Sequence, residues 1–450
     1  MADASVAPGS RMDAGDGAAG PMIPAVPRTL EQTGLSSSFL EQLLLKILFL
    51  RGESYGRDVA AAVGLQFSVI EPLLETLKLQ HLIEIRRSMG YGNVSAVFCI
   101  TESGRARVRL YLEGNQYAGP APVPLEQFTA VVRRQRLQEG WLTPDALVQA
   151  YRHMVVAPRV LAQLGPAVSA GKSFLIYGRP GDGKTYLAEA LGEIWSAPVF
   201  LPYAIEFQGN IIHFYDPIYH RVTEEPESLQ ALDEERSHDG RWFRCRRPFI
   251  TTGGELTIEM LDLSYNAVSK VYEAPLQLKA TNGTYLIDDF GRQRATPAEV
   301  LNRWIVPMER RVDFLSFRTG GKVTVPFETF LVFSTNLQPH ELGDEAFLRR
   351  IQYKMLMRGP AKEEFLEIFS RFCTQHELEY SEPAVERLIE ERYARTGKPF
   401  RRCHPRDLLT HALDIMRFEK LPHVLTDDIL NRAFESCFVQ ESEDAPPPAE

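Results

Sequence analysis

The residues best suited to chemistry lie between Phe174 and Leu191, where the chain reads FLIYGRPGDGKTYLAEAL. Gly178-Arg179-Pro180-Gly181-Asp182-Gly183-Lys184-Thr185 fits the pattern G-x-x-x-x-G-K-[ST]. Its glycines let the backbone curl until successive N–H groups converge on phosphate oxygens. Lys184 would then reach the outer phosphates, and the Thr185 hydroxyl would hold a magnesium ion. FLIY reads as a buried strand entering the loop. TYLAEALGEIW, with Tyr186 in its first turn, reads as a helix whose N-terminal dipole adds to anion binding. An ordinary glycine turn would require neither flank. The chemistry indicated is phosphate binding and phosphoryl transfer.

Such a loop needs a carboxylate site for the metal at the end of another parallel strand. GTYLIDDFGRQ supplies one: apolar Tyr285 to Ile287, then Asp288, suited to hold magnesium through water, and Asp289, suited to polarise an attacking water. FETFLVFSTNLQP is a further buried strand ending in Ser334, Thr335 and Asn336, whose amide can orient water near a terminal phosphate. Arg349 and Arg350 end a short helix in DEAFLRRIQYKM. CHPRDLL puts Arg406 in the first turn of a helix, where the dipole disfavours a cation unless a ligand anion offsets it.

In type and order this set resembles the AAA+ ATPases, over about residues 125 to 440. The resemblance implies an α/β P-loop core with a five-stranded parallel sheet, a C-terminal helical lid, and ATP with Mg2+ as ligands. It also implies hydrolysis between subunits of a homo-oligomeric ring, usually a hexamer. In that scheme Gly178 to Tyr186 bind the nucleotide as Walker A, Thr185 and Asp288 hold the metal, and Asp289 is the catalytic acid of Walker B. Asn336 is sensor 1, Arg406 is sensor 2, and Arg350, or else Arg349, is the arginine finger that completes a neighbour's site. A solvated helix end is the bland reading of that arginine pair. Two departures stand out. Asp289 is one methylene shorter than the usual glutamate, which implies slower hydrolysis or a closer water, and Arg179 stands where proline is common.

Roughly a hundred residues separate Lys184 from Asp288, where a strand-helix-strand unit needs about thirty or somewhat more. The excess, about 203–282, falls where AAA+ rings present loops to substrate. Within it Trp242, Phe243 and the cluster Arg241, Arg244, Arg246 and Arg247 are candidates to touch a partner, the alternative being a solvated hairpin elaboration. His213 and His220 read as structural histidines, since no third metal ligand is evident. DFLSFRTGGKVTVPF predicts an extra hairpin before the Asn336 strand. Its placement resembles the branch containing MoxR-like chaperones, magnesium chelatases and enhancer-binding activators, although the G-A-F-T-G-A loop of those activators is absent.

Ahead of this core, SSSFLEQLLLKILFL, GRDVAAAVGL and FSVIEPLLETLKLQ predict three helices, the last broken or started at Pro72. Two strands in HLIEIRRSMGYGNVSAVFCIT and a helix in ESGRARVRLYLE follow, so residues 36–118 resemble a small α+β winged helix. Its third helix carries Glu71 and Glu75 against Lys78, a poor face for phosphates. Its basic residues gather instead at Arg86 and Arg87 and on the helix after the wing, at Arg105, Arg107 and Arg109. DNA docking is therefore the disfavoured alternative to protein docking or a purely structural role.

The expected organisation is a disordered tail (1–35), the winged-helix-like domain (36–118), a Pro-rich linker (119–126), the core with its insert (127–360), the helical lid (361–440) and a disordered tail (441–450). The 450 residues, 44% of them hydrophobic, suffice for several packed cores, and a net charge of −9 argues against a polyanion as the default partner. Five scattered cysteines without a C-x-x-C pair, and no apolar run of the ~20 residues a membrane span needs, place the expected protein in the cytoplasm. The expected function is ATP-driven remodelling or assembly of a protein client. The rival is an ATP-switched, DNA-associated regulator. A GTPase is disfavoured because the N-K-x-D guanine signature is absent.

Overall fold

The computed structural model describes residues 23–87, 92–137, 140–195, 197–223, 237–343 and 345–438. Most of the expected N-terminal tail, the hairpin tip at 88–91, the acidic part of the insert at 224–236 and the C-terminal tail lie outside the described residues.

Five apolar runs form a parallel sheet: β1 (Phe174–Gly178), β2 (Phe249–Thr252), β3 (Thr284–Ile287), β4 (Phe330–Thr335) and β5 (Tyr353–Met357), in the order β2-β3-β4-β1-β5. These strands read as unbroken apolar runs because both faces are covered. Phe174, Ile176, Leu286 and Val332 meet Leu164, Leu187 and Leu191 on one side, while Tyr285, Ile287 and Phe333 meet Leu301 and Trp304 on the other. Ile287 pairs with Phe333 and Thr335 with Tyr177, so the chain leaves β1, β3 and β4 at one edge of the sheet. That register sets the loop after β1, Asp288 after β3 and Asn336 after β4 side by side.

β2 comes from inside the stretch expected to be an insert. The remaining excess supplies four strands of a second sheet, Ser264–Asn266, Val271–Glu273, Asn210–His213 and Ala204–Phe207, which Val123–Pro124 completes in that order, and one strand, Trp242–Cys245, of a two-stranded ribbon with Val199–Pro202. Val123 and Pro124 therefore do not behave as a free linker. They pair with Ile205 and Glu206, and the Ala121 N–H donates to the Val63 carbonyl at 2.7 Å. An edge strand tolerates the missing proline donor. The hairpin Val312–Ser316 with Lys322–Pro326 forms as expected and buries Leu315, Phe317, Val323 and Val325 in the same core as Phe128, Val131 and Trp242.

The N-terminal unit packs helices Ser37–Arg51, Gly56–Val63 and Phe67–Leu79 with an antiparallel sheet of Ser54–Tyr55, Val97–Ile100 and Ile83–Arg87, followed by helix Glu102–Gly114. Ser36 starts the first helix, its hydroxyl accepting from the Phe39 N–H at 3.2 Å. Pro72 neither breaks nor starts the third helix, which runs through it. Ser68, whose carbonyl loses its intrahelical partner there, is exposed and so open to solvent. Residues 23–35, expected to be tail, instead pack on the fold. Helix Leu30–Thr33 is capped by Thr29, and Thr33 and Leu35 are buried.

Arg241, expected to be a partner contact, is the internal tie for this segment. Its guanidinium pairs with Asp239 at 2.8 Å and donates to the Thr33 carbonyl at 2.9 Å and to Gln127 Oε1 at 3.1 Å, with Arg241 and Asp239 only 1% and 2% exposed. Trp242 is also buried. A charge placed so deeply is retained only when paired, and pairing it across three segments welds them.

The C-terminal helices Lys362–Gln375, Glu382–Leu388, His404–Glu419 and Asp427–Cys437 share a core built on Phe365, Phe369, Leu408, Leu430 and Phe434. Among the described residues no single helix is long and apolar enough to cross a membrane.

Two buried histidines give a pH prediction. His220 Nδ1 accepts from the Asp216 N–H and its Nε2 donates to the Lys279 carbonyl, both at 2.9 Å. His404 bonds the Tyr393 hydroxyl at 3.0 Å. Burial pushes both down to about 4 from 6.5. The unfolded chain then binds these protons first, so the stability they contribute is complete above pH 6.5 and drains as pH falls toward 4, on the order of 3 kcal/mol at the limit for His220 and less for His404, which solvent screens more. The urea midpoint is expected to fall between pH 7.5 and 5, and less steeply in His220→Gln. An unchanged slope would contradict this.

Candidate functional site

β1 delivers the chain into a glycine loop, and helix Lys184–Glu189 begins immediately after Gly183. Gly178 adopts φ 155°, and a Cβ there would collide with the Met357 carbonyl of neighbouring β5. Gly181 adopts φ 83°, and its Cβ would lie 2.6 Å from Cys403 Sγ. The second glycine is thus demanded by the C-terminal helices as well as by any phosphate.

Lys184 is 6% exposed. Its ammonium donates to the carbonyls of Gly178 at 3.1 Å and Arg179 at 2.9 Å and to Asn336 Oδ1 at 2.6 Å. The Asn336 amide in turn donates to Asp289 Oδ1 at 2.8 Å. The Thr185 hydroxyl sits 3.1 and 3.0 Å from the two carboxylate oxygens of Asp288. Burial lowers the Lys184 pKa, opposed by Asp182, Asp289 and Asp288. Asp289 is held at φ 48°, a left-handed conformation that aspartate tolerates better than most residues. The following turn is pinned by Gln293, whose amide donates to the carbonyls of Asp288 at 2.8 Å and Asp289 at 3.2 Å.

These groups open on a cavity of about 600 Å³ lined by Gly183, Lys184, Thr185, Tyr186, Asp289, Asn336 and Arg406. Arg406 is exposed, its guanidinium resting on Asp407 at 2.8 Å. Pro180 and Gly181 also line the cavity, whereas Gly178, Arg179 and Asp182 line a neighbouring one of about 450 Å³ with Phe400 and Arg401. The Asp182 carboxyl is buried there, and burial raises its pKa despite the Lys184 charge. Arg179 and Asp182, expected to bind the nucleotide, therefore line the neighbouring cavity and not the main one.

Arg349 and Arg350 are not among the residues lining this cavity. Arg350 pairs with Glu309 at 2.7 Å, and Arg349 is the more exposed of the two. His213 pairs with Glu273 at 2.9 Å, and no group of three metal-ligating side chains occurs among the described residues.

Several lining residues were not picked out by sequence. Met154, Val155, Val156, Ile368 and Phe372 form an apolar end of the cavity. Arg402 fastens that end, donating to the Val155 carbonyl at 2.5 Å and to Glu364 at 2.8 Å. Arg401 donates to the Pro180 carbonyl at 2.6 Å, and the Cys403 N–H to the Gly181 carbonyl at 3.0 Å. The run FRRCHPRD thus clamps the helical unit onto the glycine loop, and its density of arginines was the available signal. Cys403 is pushed up to about 11, mainly by burial, so it is a neutral thiol and not a nucleophile.

The donor set suits a triphosphate with a hard divalent cation. A lysine ammonium and a helix N-terminus face phosphate, and a hydroxyl with a carboxylate offers the oxygen ligands magnesium takes.

Residues 361–436 match a family described as a domain of unknown function, DUF8689. No curated protein matches the chain. Among solved structures, an alanine-to-serine variant of Thermotoga maritima RuvB is similar at 16% identity and TM-score 0.36, covering 62% of this chain and 69% of that one. The structure titled Thermotoga maritima RuvB Holliday junction branch migration motor is similar at 15% identity and TM-score 0.33, covering 62% and 67%.

Proposed function

We propose that the chain is an AAA+ ATPase that binds ATP with Mg2+ and couples hydrolysis to remodelling or assembly of a partner protein. The observation that carries this reading is the connected set Thr185–Asp288 and Lys184–Asn336–Asp289, gathered at the carboxyl edge of a parallel sheet behind a glycine loop. A cavity of about 600 Å³, cationic and polar at one end and apolar at the other, matches a nucleoside triphosphate in size and polarity.

Lys184 and the loop N–H groups take the β- and γ-phosphates, and Val156 and Phe372 offer apolar surface to the base. Mg2+ bound through Thr185 and Asp288 would neutralise charge on the phosphate oxygens. Asp289 accepts the proton of the attacking water, and Asn336 holds that carboxylate and keeps Lys184 aimed. Hydrolysis then breaks the bond to the γ-phosphorus and releases ADP and phosphate. Arg406, carried by the helical unit as a lid, supplies a cation that arrives only when the lid is seated.

Neither candidate for the arginine finger lines the cavity, which supports its delivery from a neighbouring subunit of a homo-oligomeric ring, of six subunits as is usual among AAA+ ATPases. Arg349 suits that role better than Arg350, which Glu309 holds. The winged-helix-like unit serves as a docking arm for the client. Asn93 ties Glu71 and Glu75 at 3.1 and 3.0 Å, keeping its third helix acidic, which weighs against duplex docking. Five cysteines without a disulfide support a reducing, cytoplasmic setting.

Mass in solution tests the ring. A slowly hydrolysed ATP analogue is expected to shift the chain from small species to a closed oligomer, and Arg349→Ala is expected to assemble yet hydrolyse ATP about 10²-fold more slowly or worse. A chain that stays monomeric with the analogue bound would contradict the ring.

A further inference from the structure

A second cavity of about 590 Å³ lies between the core and the inserted ribbon, remote from the glycine loop in its lining. Four arginines, Arg221, Arg244, Arg246 and Arg247, line it with Trp195 and Tyr219, against the carboxylates of Glu189 and Glu193. The backbone brings the arginines together. The Arg246 N–H donates to the Arg221 carbonyl at 2.9 Å, and Arg244 and Arg246, two apart along an extended segment, share a side.

Arg247 carries the argument furthest. It is 8% exposed, and its two terminal nitrogens donate to the backbone carbonyls of Asn282 at 2.6 Å and Gln135 at 2.9 Å. Its Nε has no hydrogen-bond partner, and no carboxylate pairs with it among the described residues. Burial brings it down to about 10, which still leaves it charged at neutral pH. With its terminal nitrogens engaged and its Nε buried, Arg247 therefore offers charge and not a free donor, and its positive charge adds to that of the neighbouring arginines in the potential an anion in the cavity would meet.

We propose that this cavity binds a small phosphate-bearing ligand of the nucleotide class, at a site separate from the glycine loop. Guanidinium groups match phosphate oxygens in geometry as well as charge, and the volume is that of small-molecule sites. The ring surface is already ordered. Trp195 stacks on Trp141 with centroids 4.7 Å apart, and its indole N–H donates to Thr284 Oγ1 at 3.1 Å. Glu189 ends the helix that starts with Lys184 and Thr185, so an occupant would touch the far end of the element that carries the first site.

The phosphate of a free nucleotide and that of a nucleic-acid backbone share this chemistry, and a cavity walled by two units favours the former. The test uses the full chain bearing Lys184→Ala, which weakens binding at the glycine loop, and reads the part of the remaining binding that charge reversal in the second cavity removes, so a failure of this proposal is distinguishable from a failure of the first site. Inorganic tripolyphosphate and ADP are titrated calorimetrically at low salt, with and without the added pair Arg221→Glu and Arg246→Glu. Both side chains are exposed, so folding should survive, and a thermal midpoint checks it. One saturable site weakened at least tenfold by the charge reversals supports the proposal. Equal affinity in both proteins, or no binding, overturns it. Binding of a short duplex but of neither small ligand, lost on reversal, also overturns it and assigns the arginines to a nucleic-acid backbone.

Discussion

Lys184→Ala is expected to weaken ATP binding at least about tenfold and to lower turnover by about 10²–10³-fold, with the fold intact. The lysine is buried, bonded to two carbonyls of its own loop and to Asn336, and so is held ready at the loop before any ligand arrives. Removing it takes away the cation proposed to meet the outer phosphates and leaves the Asn336 side-chain carbonyl without its 2.6 Å partner. Asn336 then no longer fixes Asp289, so turnover falls further than affinity. Fluorescent-nucleotide titration measures the first effect and phosphate release the second. Equal losses in both would show that Lys184 serves binding alone.

Arg241→Ala is expected to cost about 3–5 kcal/mol of stability, because it leaves the Asp239 carboxylate buried without its counter-charge. It also strips the Thr33 carbonyl and Gln127 of their donor, so the segment from Ile23 to Leu35 should become the first site of proteolysis. Urea unfolding gives the magnitude. The paired replacement Arg241→Met with Asp239→Leu should recover much of the loss, since the pair's own desolvation cost disappears with it. A loss below about 1 kcal/mol in the single variant would mean that the ion pair is not the tie described above.

The parallel sheet was legible because strands covered on both faces leave continuous apolar runs, and Ile287 and Thr335 are each followed by the polar residues that matter. The second sheet was not. Its strands are three or four residues long or shorter, and its edge, Val123–Pro124, finds its partner at Ile205 and Glu206, far along the chain. Proline and alanine around it read as linker because sequence shows the missing donor but not the edge position that tolerates it. Arg241, Trp242 and Arg247 read as surface because charge near aromatics is usually exposed, whereas here each meets an acceptor or a core supplied from elsewhere. For the candidate site, the local pattern indicated Lys184, Thr185, Asp288, Asp289 and Asn336, and the register of three strands gathers them. The apolar end of the cavity could not be read, since Arg402 reaches Val155 across 247 positions. Arg349 and Arg350 were legible only as a pair of cations at a helix end, and the role proposed for them requires a second subunit.

Phosphate release from ATP by the full chain, with magnesium and with a chelator, beside Lys184→Ala, tests the central claim most directly. The account predicts magnesium-dependent turnover that is lost in the chelator and falls at least about 10²-fold in the variant. Hydrolysis at the same rate in Lys184→Ala would contradict it.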